Sequence, residues 1–514
     1  MTFALALLAA LALPLALHAA APAEHGRRVR GAADCAAVAR IALKDARITT
    51  ATAVPSNDSL RALGQKPYCR VEATVDTETH IVALLPDDWN GRFLMGGAGG
   101  YVGAVQNQYE STVHEGYATV GTDAGHTAFA LLAGWALRND RRIADYGHRA
   151  VHRTAEVTKA LIVAYYGRLP EHSYFIGCSN GGREALMEAQ RYPADFDGIV
   201  AIAPWVNPLA WAAAAVRNLQ AQYPTGSLGA PAVTPAVLRL LAATVTEACD
   251  AIDGVRDGIL ENPEACAFTL ALLPACANDV TMDGCVTRAQ RAALTAFITP
   301  LTAGTLRYLG WPFGDVADAE GWGTWITGPV ADVMELTART APTLQGVIGI
   351  EFFKYFVYGD SAWRYVDYDL ARAGRDGARV AAVVSATNPD LSAFRARGGK
   401  LLLAHGWSDP ALSARSTIEY FKAVQRRTPQ ASSFTRLFLM PGVLHCGGGS
   451  GCDDVDWSVL IRRWVEHGEA PSRIVARKLR DMQVVRTHPL CAYPMMARYN
   501  GTGSTDDAVA FTCR

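Results

Sequence analysis

Gly177-Cys178-Ser179-Asn180-Gly181 places a serine between small residues, after an apolar run and ahead of a helical pattern. This is the G-x-S-x-G context in which a tight strand-to-helix turn lifts a hydroxyl above a sheet. A serine hydroxyl is a poor nucleophile until an imidazole takes its proton, and the imidazole needs a carboxylate to set its tautomer and stabilise its charge. In the strand-turn-helix hydrolases the expected chain order is Ser, Asp, His. Asp409 follows the apolar run KLLLAHGWS and His445 follows TRLFLM, so each comes after a strand end. Singly, Asp409 reads equally well as a helix cap and His445 as a loop histidine; together, in order, they read as acid and base.

Two cysteines sharpen this reading: Cys178 adjoins Ser179 and Cys446 adjoins His445. A Ser–His hydrogen bond of about 3 Å brings their neighbours near the roughly 5.5 Å Cα spacing of a disulfide. A bond between Cys178 and Cys446 would lock the pair, and would remove Cys178 as a rival nucleophile. Acyl transfer also needs rigid N–H donors for the developing oxyanion. The candidates are Asn180 and one of Gly96, Gly97 or Ala98, with Gly97 as the choice. This G-G-A-G-G run could instead cradle phosphate, but it lacks the lysine of a P-loop.

The elements that must carry these residues are legible as alternating strands and helices. HIVALLP (80–86) and RFLMGG (92–97) read as strands, and YATVGTDAG reads as a strand with a turn. A helix follows from about Asp145 to Tyr166, then the strand SYFIGC and a helix from near Gly182. The alternation resumes with GKLLLAHG, a helix around Thr417 to Arg427, and FTRLFLM. The pattern predicts an α/β-hydrolase fold, a mostly parallel sheet flanked by helices, from 24–206 and 391–514. Between them, 207–390 is Ala-rich, with four cysteines and Trp- and Gly-rich stretches, and is expected to be a large inserted lid domain.

With 514 residues, 50% of them hydrophobic, the chain can bury a large core. Its net charge of −1 and the absence of long basic runs argue against nucleic acid or an anionic membrane surface as partners. A small-molecule substrate fits better, and oligomeric state is left open. Residues 1–23, apolar and ending in small residues, read as a signal peptide cleaved after Ala23, with a retained anchor as the alternative. That predicts a secreted or periplasmic protein with no stable membrane association after cleavage. In such a compartment the eleven cysteines imply disulfides with one left over, and no zinc-like Cys/His spacing occurs.

G-C-S-N-G-G-R (177–183), H-G-W-S-D-P (405–410) and H-C-G-G-G (445–449) together resemble the tannase and feruloyl esterase family, which includes a bacterial hydrolase of mono(2-hydroxyethyl) terephthalate. The resemblance covers nearly the whole mature chain and implies a serine hydrolase of aromatic carboxylic esters such as ferulate or gallate. A terephthalate-type monoesterase is an alternative, as is a non-catalytic binding protein on a hydrolase scaffold. It further implies bridges Cys35–Cys69, Cys178–Cys446, Cys249–Cys266, Cys276–Cys285 and Cys491–Cys513, leaving Cys452 unpaired. C-D-A-I-D-G-V-R-D-G-I (249–259) is similar to the family's calcium loop. By that comparison the side chains of Asp250, Asp253 and Asp257 and the carbonyls of Val255 and Ile259 would hold a structural Ca2+. Read alone, the segment is a solvated acidic turn. No organic cofactor is implied. G-W-G-T-W-I-T-G (321–328) resembles the lid segment of the terephthalate monoester hydrolase, and that resemblance implies Trp325 where an aromatic ring could stack; read alone, a large aromatic packs equally well in a lid core.

Overall fold

The computed structural model describes residues 29–30, 35–226, 231–328 and 343–514; the expected signal segment 1–23 lies outside them. Nine strands form one sheet: β1 (Ala46–Val54), β2 (Tyr68–Val75), β3 (Thr79–Pro86), β4 (Arg92–Gly96), β5 (Ala118–Thr122), β6 (His172–Cys178), β7 (Gly198–Ile202), β8 (Lys400–Gly406) and β9 (Thr435–Met440). The order is β9-β8-β7-β6-β4-β5-β3-β2-β1. From β9 to β5 every pairing is parallel. From β5 through β3 and β2 to β1 every pairing is antiparallel.

The difference follows from burial. In β6 every residue from Ser173 to Cys178 is buried, as a strand covered on both faces requires, and such a run is apolar throughout. β1 instead leaves much of its length exposed at the sheet edge, and its polar residues hide it from a reading based on apolar runs. The first strand expected at 80–86 is therefore the third of the sheet.

The helices that matter for the site are α1 (Ala150–Tyr166) and α2 (Asn180–Arg191). The helix expected near Gly182 starts two residues earlier, directly after Ser179. α1 is entered through a π-helical turn at Asp145–Arg149 and closed by Gly167 in the left-handed region.

After β7 the chain leaves the sheet and does not return until β8. The intervening segment is mainly helical, with α3 (Pro208–Gln222), α4 (Pro235–Cys249), α5 (Arg288–Ile298) and α6 (Leu344–Glu351). α3 begins with Pro208 behind Asn207, whose side chain accepts the Ala210 N–H, and α5 carries a full capping box from Thr287 and Gln290. The apolar core of this segment is continuous with Tyr101, Trp135 and Tyr146 from the loops and helix above the sheet, so the insertion is packed onto that end rather than tethered beside it. α7 (Ala414–Arg427) joins β8 to β9, and α8 (Trp457–His467) follows β9. Two antiparallel hairpins then close the chain.

Candidate active site

Ser179 sits between β6 and α2 with φ 64° and ψ −123°, a left-handed conformation that a serine adopts only under constraint. The constraint is visible on both sides. A Cβ on Gly177 would come within 2.6 Å of the Gly181 backbone, and one on Gly182 within 2.6 Å of the Ile202 carbonyl. The Ser179 N–H donates to the Ile202 carbonyl at 3.0 Å, and the Cys178 N–H donates to Gln108 Oε1 at 2.9 Å. The turn is thus held by its neighbours in the sheet and leaves the serine partly exposed at the ends of the parallel strands, where α/β sheets display their chemistry.

His445 and Asp409 arrive after β9 and β8. His445 Nδ1 lies 2.8 Å from Asp409 Oδ2. Asp409 Oδ1 accepts the N–H groups of Ala411 and Leu412 at 2.8 and 2.9 Å, and the carboxylate is fully enclosed. Burial alone would raise its pKa, but the His445 and His405 imidazoles outweigh that and hold it well below the usual carboxylate range. The bond Cys178–Cys446 is present, with Cα atoms 5.9 Å apart, so the residues next to it, Ser179 and His445, are brought to one place. Cys446 is itself left-handed, at φ 65°. Among the described residues no hydrogen bond joins the Ser179 hydroxyl to His445, a contact that often tightens only with substrate present.

The Asn180 N–H stands at the open N-terminus of α2, where helix donors lack partners. Gly97 does not serve as the second donor. Its N–H goes to the Ile176 carbonyl at 2.9 Å, prolonging the β4–β6 ladder by one residue. The Ala98 N–H is taken by Glu184 Oε2 at 3.1 Å and the Gly99 N–H by Gln106 Oε1 at 3.0 Å. Gly100 follows, with no acceptor for its N–H among the described residues. The error has a simple cause: a strand can run on into a glycine-rich stretch that looks like loop.

The motif G-C-S-N-G-G-R has structural reasons beyond the serine. Asn180 is fully buried; its Nδ2 donates to the Ala98 carbonyl and to Glu184 Oε1, and its Oδ1 accepts from Tyr146 and from Arg183 Nε. Arg183 also donates to the carbonyls of Gly147 and Tyr146. Burial pushes the Glu184 carboxyl up to about 7, against the pull of Arg183 and its two hydrogen bonds. This network couples the serine turn, the glycine run and the π-helical turn. Sequence reasoning gave Arg183 and Glu184 no role, because a charged pair on a helix normally signals a solvated face.

Trp325 lies edge-to-face on the His445 ring, with centroids 5.4 Å apart, and remains partly exposed. It also packs against the core of the insertion, so the residue touches both the base and the lid core. The acidic loop lies elsewhere, after α4. Asp250 accepts the Gly258 N–H, Asp253 the Val255 N–H and Asp257 the Ile259 N–H. Asp250 and Asp253 are buried. Burial, reinforced by Glu261 and Asp257, pushes Asp253 up to about 6; burial and then Asp250 raise Asp257, whose nearest cation is Arg486 at 3.5 Å. Each carboxylate is thus held by an N–H of its own loop, and Asp253 and Asp257 have acidic neighbours.

The remaining bridges are Cys35–Cys69, Cys249–Cys266, Cys276–Cys285 and Cys491–Cys513, and Cys452 is free and buried. Burial pushes its thiol up to about 12, which makes it inert as a nucleophile.

The family model for tannase and feruloyl esterase matches residues 62–514. A mono(2-hydroxyethyl) terephthalate hydrolase of Piscinibacter sakaiensis is 33% identical over 90% of this chain and 87% of its own length. A feruloyl esterase B of Aspergillus niger is 31% identical over 87% and 86%. The crystal structure of feruloyl esterase B from Aspergillus oryzae superposes with a TM-score of 0.80 at 26% identity, covering 93% of this chain and 99% of that one.

Proposed function

Starting from the fact that this chain belongs to the tannase and feruloyl esterase family, and is therefore a carboxylic ester hydrolase, we propose that it cleaves esters of phenolic aromatic acids through an acyl-enzyme on Ser179. The observation that carries the serine mechanism is the 2.8 Å contact of His445 with a buried, ionised Asp409, joined to the serine turn by the Cys178–Cys446 bridge.

In the first step His445 Nε2 takes the Ser179 proton as Oγ bonds to the ester carbonyl carbon. The oxyanion is received by the Asn180 N–H at the start of α2. Collapse breaks the bond to the alcohol oxygen, and His445 returns the proton to that leaving group. Water then repeats the sequence on the acyl-enzyme, releasing the aromatic acid and restoring Ser179. Asp409 stays ionised throughout, fixing the ring through Nδ1 and stabilising the imidazolium. The insertion between β7 and β8 acts as the lid and offers Trp325 as an aromatic wall. The natural acid is read as ferulate- or gallate-like; the terephthalate monoester is the alternative suggested by the relative of that name.

A Ca2+ held by Asp250, Asp253 and Asp257 with the Val255 and Ile259 carbonyls would neutralise the acidic loop and stabilise the lid. It has no part in the reaction. Five disulfides suit an oxidising compartment, and no helix among the described residues is long and apolar enough to cross a membrane. The disulfides support export.

The test is hydrolysis of methyl gallate, methyl ferulate and mono(2-hydroxyethyl) terephthalate by the purified mature chain, with Ser179→Ala as the blank. Turnover of at least one ester, lost by several orders of magnitude in the variant, is expected. Equal turnover by wild type and Ser179→Ala would refute the serine mechanism.

A further inference from the structure

Glu188 is buried to 1% exposure on α2, and neither of its carboxylate oxygens has a hydrogen-bond partner. A charge in that condition is costly, and a cation, or a proton shared with Asp195, would satisfy it. Its surroundings are specific. His152, from α1, turns Nδ1 towards Asp195 Oδ2 at 2.6 Å, and Asp195 follows α2. Ligand atoms of His152, Glu188 and Asp195 all lie within 4.8 Å of one another. The His152 ring is held flat against Tyr192, with centroids 3.9 Å apart and planes 5° apart, and its Nε2 faces Glu156 at 3.6 Å. The neighbouring cation, Lys159, donates to the Asp195 carbonyl oxygen and leaves the Glu188 oxygens unmet.

We propose that His152, Glu188 and Asp195 form a binding site for a divalent transition-metal ion, with Zn2+ as its type. One imidazole nitrogen and two carboxylates match the borderline donors that Zn2+ takes at about 2.0–2.2 Å, with water completing four-coordination. Three donors including a nitrogen are too few and too soft for the six to eight oxygens of Ca2+. Two carboxylates also balance the charge of the ion. The ion would pin α1 to α2, whose first residue follows Ser179, and is structural rather than catalytic.

The experiment titrates Zn2+ into the full mature chain, first stripped with chelator and then returned to excess Ca2+ so that the acidic loop is filled. Calorimetry is expected to show one equivalent bound, with a higher thermal midpoint. Glu188→Gln and His152→Ala should each weaken binding by more than the roughly 10–100-fold that loss of an outer partner alone costs. His445→Ala and Asp253→Asn should bind as wild type, which separates this site from the other two. Co2+ added in place of Zn2+ should give wild type the visible absorption of a four-coordinate site, and Zn2+ should displace it, a readout taken on wild type alone. No uptake by wild type, undiminished uptake by the two ligand variants, or a Co2+ spectrum without four-coordinate bands would each overturn the proposal.

Discussion

His405 Nε2 lies 3.1 Å from Asp409 Oδ2, with both side chains fully enclosed. The same oxygen meets His445 Nδ1 at 2.8 Å, so one carboxylate oxygen serves two imidazoles. His405 also contacts the Leu412 carbonyl through Nε2 and Thr417 Oγ1 through Nδ1. Nε2 faces only acceptors and therefore carries a proton, while Nδ1 pairs with a hydroxyl that can donate or accept. The effect of His405 on catalysis would be indirect, by aiming Asp409 at His445. A hydrogen bond to a charged group is worth about 1.5–3 kcal/mol. His405→Leu should therefore lower kcat on an aryl ester by roughly 10- to 100-fold, with KM little changed. A KM effect without a kcat effect would mean that the residue only fills space.

The Cys178–Cys446 bridge differs in purpose from the bridge Cys491–Cys513, which joins the last strands far along the chain. Replacing Cys178 and Cys446 together by Ala should cut kcat at least about tenfold, because the serine and histidine turns lose their tie and reacting groups tolerate little displacement. Replacing Cys491 and Cys513 should instead lower stability by about 2–5 kcal/mol and leave kcat near wild type. Steady-state kinetics beside denaturant melts on the two double variants would distinguish these outcomes.

Ser179, Asp409, His445 and the cysteine pair were legible because each follows an apolar strand, and strands buried on both faces announce themselves. The edge strand Ala46–Val54 and the closing hairpins were not, since exposed strands carry too many polar residues to stand out. Gly97 was misassigned because sequence cannot tell where a ladder ends within glycines. His405, Glu184 and Glu188 went unread for a different reason. A histidine inside a strand and two glutamates on a helix gain meaning only from what packs against them.

Glu184 makes the pH response of the serine turn predictable. Its folded-state pKa of about 7 stands above the unfolded reference of 4.5. The folded protein therefore holds this proton more firmly, and the associated stability is present in full below pH 4.5 and lost as pH rises through about 7. Glu184→Gln, neutral at every pH, should flatten that decline, so the difference in melting temperature between variant and wild type should shift in favour of the variant from pH 5 to pH 8. A pH-independent difference in melting temperature would contradict the assignment.

Calcium should act on stability alone. Adding Ca2+ to chelated protein should raise the melting temperature of wild type in a concentration-dependent way, as expected for a ligand of the folded state. Asp253→Asn should remove most of that response while retaining kcat within a few-fold. A melting temperature indifferent to Ca2+ would leave the acidic loop as a solvated turn.

Trp325 bears on what the site accepts. Its indole edge-to-face contact with His445 puts an aromatic surface beside the base, and the residue stays partly open to solvent. An aromatic acyl group bound against it would gain about 0.5–1.5 kcal/mol beyond burial of area, a factor of roughly 2 to 12. An aliphatic acyl group of similar size would not gain this increment. Trp325→Leu should consequently reduce kcat/KM for methyl ferulate more than for an alkanoate methyl ester, by about that factor, whereas Trp325→Phe should keep the preference. Because the same indole also braces the His445 ring, a fall in both substrates by one common factor would mean that Trp325 positions the base and does not read the acid. The ratio between the two esters, rather than either rate alone, is the quantity that decides.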